Sequence, residues 1–330
     1  MDNFKKIGLT ALAGSLVAVS ANAAELTVSG SAVLSYVTEE HSAVASNRGG
    51  NGFGMKNNMS FTGTGEVNGM DVTYFNTLSD TAGVSSSRLT LGMGDMGSIY
   101  FDQGVGGNGI GALDEDSPTA YEEPTDGMTG GNVSLAGAGS TNTIGYSGSF
   151  SGVGLAINID PVVGDSDTAD GAQSGDGTGS AWSAVVTAPT IIDGLSIRAG
   201  YGTNKVKDGT TTATESESIA ASVRYTVGPI TAGINHTETT GGSAGAVAHF
   251  TDGYGVVFSV NENLSLSYTK VENEFANAGS AHVTEDSTGL AIAYTMGGAT
   301  LVVQQNDQDN GGGSSGKTEE RTEINLSFAF

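Results

Sequence analysis

The last ten residues, 321–330, alternate strictly between apolar and polar positions. One parity carries Ile324, Leu326, Phe328 and Phe330, and the other parity is mostly polar. A period of two is typical of a β-strand with one apolar face and one wet face. An unpaired strand at the edge of a sheet invites aggregation. We therefore expect this last strand to pair with the first strand of the mature chain, which would close a barrel.

The same alternation recurs in sixteen segments. We predict strands at about residues 25–38, 55–66, 70–79, 87–93, 98–102, 142–150, 153–160, 181–190, 195–203, 217–227, 230–239, 249–260, 264–272, 287–296, 299–306 and 321–330. The connections alternate between short turns and long loops, and Asn68-Gly69 is a strong hairpin signal. This pattern is typical of bacterial outer-membrane barrels. The predicted fold class is all-β, a sixteen-stranded antiparallel transmembrane β-barrel with a water-filled lumen.

The amino end is a separate segment. Lys5 and Lys6 precede an apolar run, residues 7–19, and Ala-Asn-Ala at 21–23 is a small-residue cleavage sequence. That order is typical of a secretory signal peptide. We therefore predict a signal peptide at residues 1–23 and a barrel domain at residues 24–330.

The composition narrows the possible partners. The chain has 36 acidic and 12 basic residues and a formal net charge of −24. Binding to a nucleic-acid backbone needs a basic surface, so we expect no nucleic-acid partner. Cysteine is absent, which fits an envelope protein that does not rely on disulfides. No run of 18 apolar residues follows the signal peptide, so a chain that crosses a bilayer would do so as a closed barrel.

Aromatic residues lie near both ends of the predicted strands on the apolar parity. They are Tyr36, Tyr201 and Tyr268 at the long-loop end, and Tyr146, Phe150, Tyr225, Phe258, Tyr294 and Phe330 at the short-turn end. Two aromatic rings at the water–lipid boundaries are expected of a barrel in a membrane. The opposite parity is polar rather than a second apolar layer, which argues against a soluble β-protein.

Two segments resemble the general bacterial outer-membrane porins of the alphaproteobacterial, trimeric type. They are residues 60–69 (SFTGTGEVNG) and residues 87–101 (SRLTLGMGDMGSIYF). The signal peptide, the strand count and the terminal Phe330 extend the resemblance over the whole chain. The resemblance implies a homotrimer in the outer membrane of a Gram-negative bacterium that passes ions and small polar solutes and is not an enzyme.

The resemblance also implies that the third external loop folds into the lumen and narrows it. The corresponding segment is residues 103–141, the longest without a strand pattern, and it lacks the Pro-Glu-Phe-Gly-Gly run that the family often carries. The predicted acidic residues of the constriction are Asp114, Glu115, Asp116, Glu122 and Glu123. The alternative is a solvated acidic loop outside the barrel.

Basic residues on the wet parity are expected to line the opposite wall. They are Lys56, Arg88, Arg198 and Arg224. Arg88 matches the strand-4 arginine of the family, whereas Lys56 lies two residues before the usual strand-2 position, which Asn58 occupies. Facing rows of opposite charge would bias ion passage without trapping a solute. Because acids are in excess, we expect a mild preference for cations.

Further partners follow from the last strand and the acidic loops. By resemblance, Leu326, Phe328 and Phe330 form the signal that the barrel-assembly machinery reads. The family fold implies no cofactor, but oxygen-rich loops can hold Ca²⁺ or Mg²⁺, and the candidate ligands are Asp165, Asp167 and Asp170. Divalent ions could also bridge the acidic loops to lipopolysaccharide in the outer membrane.

Two other functions remain open from the sequence. The first is a barrel enzyme such as an outer-membrane lipase or protease, which would need a Ser/His/Asp-type cluster on the outer wall or rim. The second is a secreted Gly/Asp-rich β-adhesin, which would leave the cells without detergent.

Overall fold

The computed structural model describes residues 25–42, 51–79, 83–114, 116–128, 135–138, 141–161, 179–189, 191–206, 214–241, 249–275 and 283–330. The predicted signal peptide lies outside the described residues. So do Glu115 and the candidate ion ligands Asp165, Asp167 and Asp170. For all of these the sequence-based assignments stay predictions.

Sixteen strands make up the described part of the chain. They are β1 (Glu25–His41), β2 (Phe53–Val67), β3 (Met70–Leu78), β4 (Val84–Gly92), β5 (Ser98–Gln103), β6 (Thr141–Phe150), β7 (Val153–Asp160), β8 (Gly179–Thr187), β9 (Leu195–Val206), β10 (Thr214–Val227), β11 (Ile230–Gly241), β12 (His249–Ser259), β13 (Leu264–Phe275), β14 (Val283–Met296), β15 (Ala299–Asp309) and β16 (Thr318–Ala329). Each strand pairs with its sequence neighbours and β16 pairs with β1, so the sheet is a closed barrel. The predicted fold class is confirmed.

The first and last strands close the barrel in antiparallel register, with Leu34 opposite Leu326. At the end of this seam the Gly30 N–H donates to the Phe330 carbonyl at 2.7 Å, and the Phe330 N–H donates to the Gly30 carbonyl at 3.0 Å. A Cβ at Gly30 would lie 2.6 Å from the Phe330 ring, so a larger residue at this position would displace that ring. The expected pairing of the two chain ends is therefore confirmed.

The barrel carries apolar side chains on its outer face and polar side chains on its inner face, the reverse of a soluble globular protein. On β14, Leu290 points outward and is 59% exposed, whereas Ser287 on the opposite parity is fully buried. Exposed apolar side chains around the outside suit a lipid environment, and polar side chains inside suit a hydrated lumen. Within the described ranges, no helix has the length and apolar character needed to span a membrane.

Candidate pore constriction

The third loop (residues 104–140) leaves the wall at a buried ion pair. Both carboxylate oxygens of Asp102 accept hydrogen bonds from the loop backbone, from the Val105 N–H at 2.8 Å and from the Gly106 N–H at 3.0 Å. Arg88 lies opposite Asp102 in the β4–β5 register, and its Nη2 is 2.5 Å from the Asp102 carboxylate. The same guanidinium donates to the Gly106 carbonyl. This pair directs the chain inward at the start of the loop.

One turn of 3₁₀ helix, Ile110–Leu113, packs its apolar side chains on the inner wall. Ile110 and Leu113 are fully buried in a cluster with Val185 of β8 and Ala220 of β10. Burying a side chain of this size contributes about 1.5–3 kcal/mol. The cluster therefore holds the third loop against the side of the barrel that β8 to β10 form.

Glycines on β9 and β12 give the loop backbone room to approach the wall. A Cβ at Gly202 would lie 3.0 Å from Ile110 and 3.1 Å from Gly137. A Cβ at Gly255 would lie 2.8 Å from the Pro118 nitrogen. A Cβ at Gly202 would also overlap the Ala136 carbonyl oxygen, and a Cβ at Gly255 would overlap the Pro118 carbonyl oxygen, so a larger residue at either position would force the loop backbone to move. The inner wall is thus shaped to receive the third loop.

Asp116 is the main electrostatic anchor of the loop, and it is only 6% exposed. Its Oδ1 lies 2.5 Å from Arg224 Nη2, and its Oδ2 lies 3.1 Å from Arg198 Nη1. The Ser222 hydroxyl also donates to this carboxylate, and Arg224 Nε donates to the Asp116 carbonyl at 2.8 Å. The structure therefore differs from the expectation that Asp116 faces these arginines across water. The groups touch because the loop lies directly on β9 and β10.

The loop continues along the inner wall to the last strands. The Ala120 N–H donates to Ser267 Oγ on β13 at 2.9 Å, and Gln304 Nε2 on β15 donates to the Glu122 carbonyl at 2.8 Å. These contacts place the described part of the loop inside the barrel. The alternative of an acidic loop outside the barrel is therefore wrong for these residues.

Arg321 on β16 is a further basic wall residue, outside the four that the alternating pattern and the resemblance predicted. Its Nη1 donates to the Gly127 carbonyl of the third loop at 3.3 Å and to Glu39 at 2.7 Å. Its Nη2 lies 2.7 Å from Glu323. Its position on the polar parity of the last strand is the sequence feature that could have identified it as a wall residue. Asp102 was also missed, although its register opposite Arg88 follows from the short β4–β5 connection.

Burial shifts the pKa of three other loop carboxylates, and neighbouring acids add to the shift for two of them. Burial raises the pKa of Asp114 to about 6. The pKa of Glu122 is raised by burial first and then by the nearby charges of Asp126 and Glu323. Burial and Glu323 also raise the pKa of Asp126. Glu123 is half-buried on the same stretch of loop.

Three of the four predicted basic wall residues contact the third loop or Asp102, the carboxylate that binds the backbone at the start of the loop. Arg198 and Arg224 bind Asp116, and Arg88 binds Asp102 and the loop backbone. Lys56 is exposed on the inner parity of β2. The structure therefore uses three of these cations to hold the loop and leaves Lys56 facing solvent.

Replacing Asp114 with Asn should stabilise the docked third loop at pH 7 and flatten its pH dependence. Docking raises the Asp114 pKa from 3.8 to about 6. This group therefore contributes docking stability that is fully present below pH 3.8 and is lost as the pH rises through about 6. After a discount for partial exposure, the gain in the Asn variant is about 1–2 kcal/mol at pH 7.

The measurement is hydrogen exchange of residues 104–114 between pH 5 and pH 8, corrected for intrinsic exchange. Asp193→Asn, which removes an exposed carboxylate from a short turn, is the control and should follow the wild type. An unchanged pH slope in Asp114→Asn would contradict the assignment of the dependence to this carboxyl.

Comparison with known proteins agrees with the closed barrel fold. A model of the Gram-negative porin family matches residues 8–314. No curated protein sequence gives a significant match. The family match covers most of the chain, including the third loop and strands β1 to β15.

Several solved structures share the fold. Salmonella typhi OmpF, in complex with daunomycin, is 14% identical with a TM-score of 0.67, over 92% of this chain and 97% of that one. The trimer form of the Vibrio cholerae outer membrane protein OmpT is 13% identical with a TM-score of 0.64, over 93% and 99%. The Acinetobacter baumannii outer membrane channel DcaP is 15% identical with a TM-score of 0.62, over 93% and 97%. The chain therefore belongs to the Gram-negative porin family and is a channel protein of the outer membrane.

Proposed function

We propose that this protein is a general diffusion porin with a mild preference for cations. It passes ions and small hydrophilic solutes through a water-filled lumen without a covalent or energy-consuming step. The observation that carries this proposal is the acidic third loop, which is docked on the inner wall of a closed barrel with a polar inner face.

The charge balance of the loop supports the cation preference. Residues 104–140 contain six acidic residues and no Lys or Arg. Asp116 is paired with two wall arginines. Glu122 and Asp126 lie near a single cation, Arg321. That guanidinium also forms ion pairs with Glu39 and Glu323. The loop surface therefore keeps an excess of negative charge.

The strength of this charge is suited to a channel rather than a binding site. Two unit charges about 8 Å apart interact by about 0.5 kcal/mol in water and about 2 kcal/mol at an effective dielectric near 20. Interactions of this size bias which ions enter, and they are weak enough to let ions leave. The family and the fold support this function over a barrel enzyme or a secreted adhesin.

We also propose that the barrel assembles as a homotrimer. The trimer form of the structurally similar Vibrio cholerae OmpT and the resemblance to trimeric porins support this state. We propose the barrel-assembly machinery as its partner during assembly, and lipid and lipopolysaccharide as its partners in the outer membrane. Phe328 and Phe330 point outward and are 46% and 73% exposed, which would make the terminal signal accessible to the machinery.

In planar bilayers under a KCl gradient, the reversal potential of the wild-type channel should have the sign that shows K⁺ to be more permeant than Cl⁻. The double variant Glu122→Gln/Asp126→Asn should lower the cation-to-anion permeability ratio by about twofold or more, since each charge contributes about 0.5 kcal/mol. The same recordings should show three equal conductance steps per insertion if the trimer is open.

Asp95→Asn is the control, because Asp95 is an exposed carboxylate in the short turn between β4 and β5. It should retain the wild-type ratio. A wild-type reversal potential whose sign shows Cl⁻ to be more permeant than K⁺ would refute the cation preference.

A further inference from the structure

Three metal-binding side chains converge at the long-loop end of the β1–β16 seam. They are Glu39 and His41 of β1 and Glu319 of β16. Each offers one ligand atom, and these atoms all lie within 4.8 Å of one another. His41 and Glu319 are direct partners in the strand register, and Glu39 lies two residues from His41 on the same face. The backbone pairing that closes the barrel therefore brings the three side chains together.

The His41 imidazole is buried with one nitrogen unsatisfied. Its side chain is 8% exposed, and its Nδ1 lies 3.2 Å from Glu319 Oε2. Its Nε2 is buried without a hydrogen-bond partner in the described part of the chain and lies 3.5 Å from Glu39 Oε2. A buried polar atom without a partner costs about 1–3 kcal/mol, so such an atom calls for an explanation. A cation bound between the nitrogen and the carboxylates would satisfy it.

The surrounding charge is negative. Glu39 and Glu323 share the single guanidinium of Arg321, at 2.7 Å each, and Glu319 adds a third carboxylate next to His41. Three carboxylates and one guanidinium leave two negative charges when the imidazole is neutral. A divalent cation at this place would balance them.

We propose that Glu39, His41 and Glu319 bind a first-row divalent transition metal ion, with Zn²⁺ as the representative. Imidazole together with carboxylates suits Zn²⁺, whereas Ca²⁺ and Mg²⁺ prefer oxygen ligands alone. A tetrahedral ion about 2.0–2.1 Å from its ligands places them about 3.3 Å apart. The 3.5 Å between His41 Nε2 and Glu39 Oε2 is close to that spacing.

The position of the site gives the ion a structural role. Two ligands come from the first strand and one from the last, so the ion links the two strands that close the barrel. This role is independent of which solutes pass through the pore. It also differs from diffuse attraction of divalent ions to the acidic loops, because it needs the imidazole.

The test uses the mature barrel folded in detergent and titrated with ZnCl₂ in competition with a fluorescent zinc chelator. The wild type should bind one Zn²⁺ per chain in preference to Mg²⁺ and Ca²⁺. His41→Gln and Glu319→Gln should each weaken this binding at least about tenfold. Zn²⁺ should also raise the thermal unfolding temperature of the wild type and leave that of His41→Gln unchanged.

His236→Gln is the matched control. His236 also pairs with a carboxylate on the neighbouring strand, since its Nδ1 lies 2.7 Å from Asp252 Oδ1, but both side chains are about 45% exposed. This variant should bind Zn²⁺ as the wild type does. Absence of stoichiometric Zn²⁺ binding, a preference for Mg²⁺ or Ca²⁺, or equal affinity in folded His41→Gln and Glu319→Gln would each overturn the proposal. Heat-dependent gel mobility shows which variants have folded.

Discussion

Replacing Asp116 with Ala should release the third loop and increase the single-channel conductance. The carboxylate is 6% exposed and is shared by Arg198 and Arg224. Removing one partner of a buried ion pair costs about 3–5 kcal/mol because a charge is left uncompensated. The arginine side chains are 27% and 38% exposed, so solvent screening lowers the docking loss to about 2–3 kcal/mol. Because 1.4 kcal/mol is about a tenfold change in an equilibrium, undocked states should become at least tenfold more populated.

The measurement is the conductance and open-channel noise of single insertions in planar bilayers. Glu215→Gln is the control, because it also removes one carboxylate from an ion pair on β9 and β10. That pair, Lys205 and Glu215 at 2.8 Å, is exposed on both sides, and exposed pairs contribute little. An Asp116→Ala channel with wild-type conductance and noise would show that the loop does not depend on this anchor.

Replacing Gly202 with Val should also displace the third loop, by steric exclusion rather than by loss of charge. The added side chain would meet Ile110 at 3.0 Å and Gly137 at 3.1 Å, starting from its Cβ alone. Val is a favourable strand residue, so β9 itself should still form. Displacement would expose Ile110 and Leu113, each of which contributes about 1.5–3 kcal/mol when buried.

We expect the Gly202→Val barrel to keep its heat-dependent gel mobility and to become sensitive to protease within residues 104–128. Its conductance should rise as in Asp116→Ala. Gly65→Val on β2 is the control, because a Cβ at that position meets no heavy atom within 4 Å apart from those of the adjacent residues in the chain. If Gly202→Val retains wild-type conductance and protease resistance, the close approach of the loop to β9 does not control the pore.

Strand prediction was most accurate at the short-turn end. β7 was predicted at residues 153–160 and spans Val153–Asp160. At the other end the strands extend further than predicted, as in β14, which was predicted from residue 287 and begins at Val283. Beyond the apolar band the outward residues no longer need to be apolar, so the alternation weakens. Backbone pairing continues there because it does not depend on side-chain polarity.

For the constriction, strand parity placed the wall residues on the correct face but did not identify their partners. Arg198 and Arg224 were assigned to the wet parity, and both point inward in the structure. Their counterion, Asp116, lies 82 and 108 residues away in sequence. Its position depends on how the third loop packs, through Ile110 and Leu113, against a wall that offers glycines to it.

The alternating pattern alone specified an all-β barrel that is apolar outside and polar inside, because alternation is local and each strand carries its own copy of it. The pairing of Asp116 with Arg198 and Arg224, and the meeting of His41 with Glu319 across the seam, depend on the closed sheet and the path of the loop. Contacts of this kind join residues that no periodic pattern relates. They form only when the barrel is closed and the third loop is packed on its inner wall.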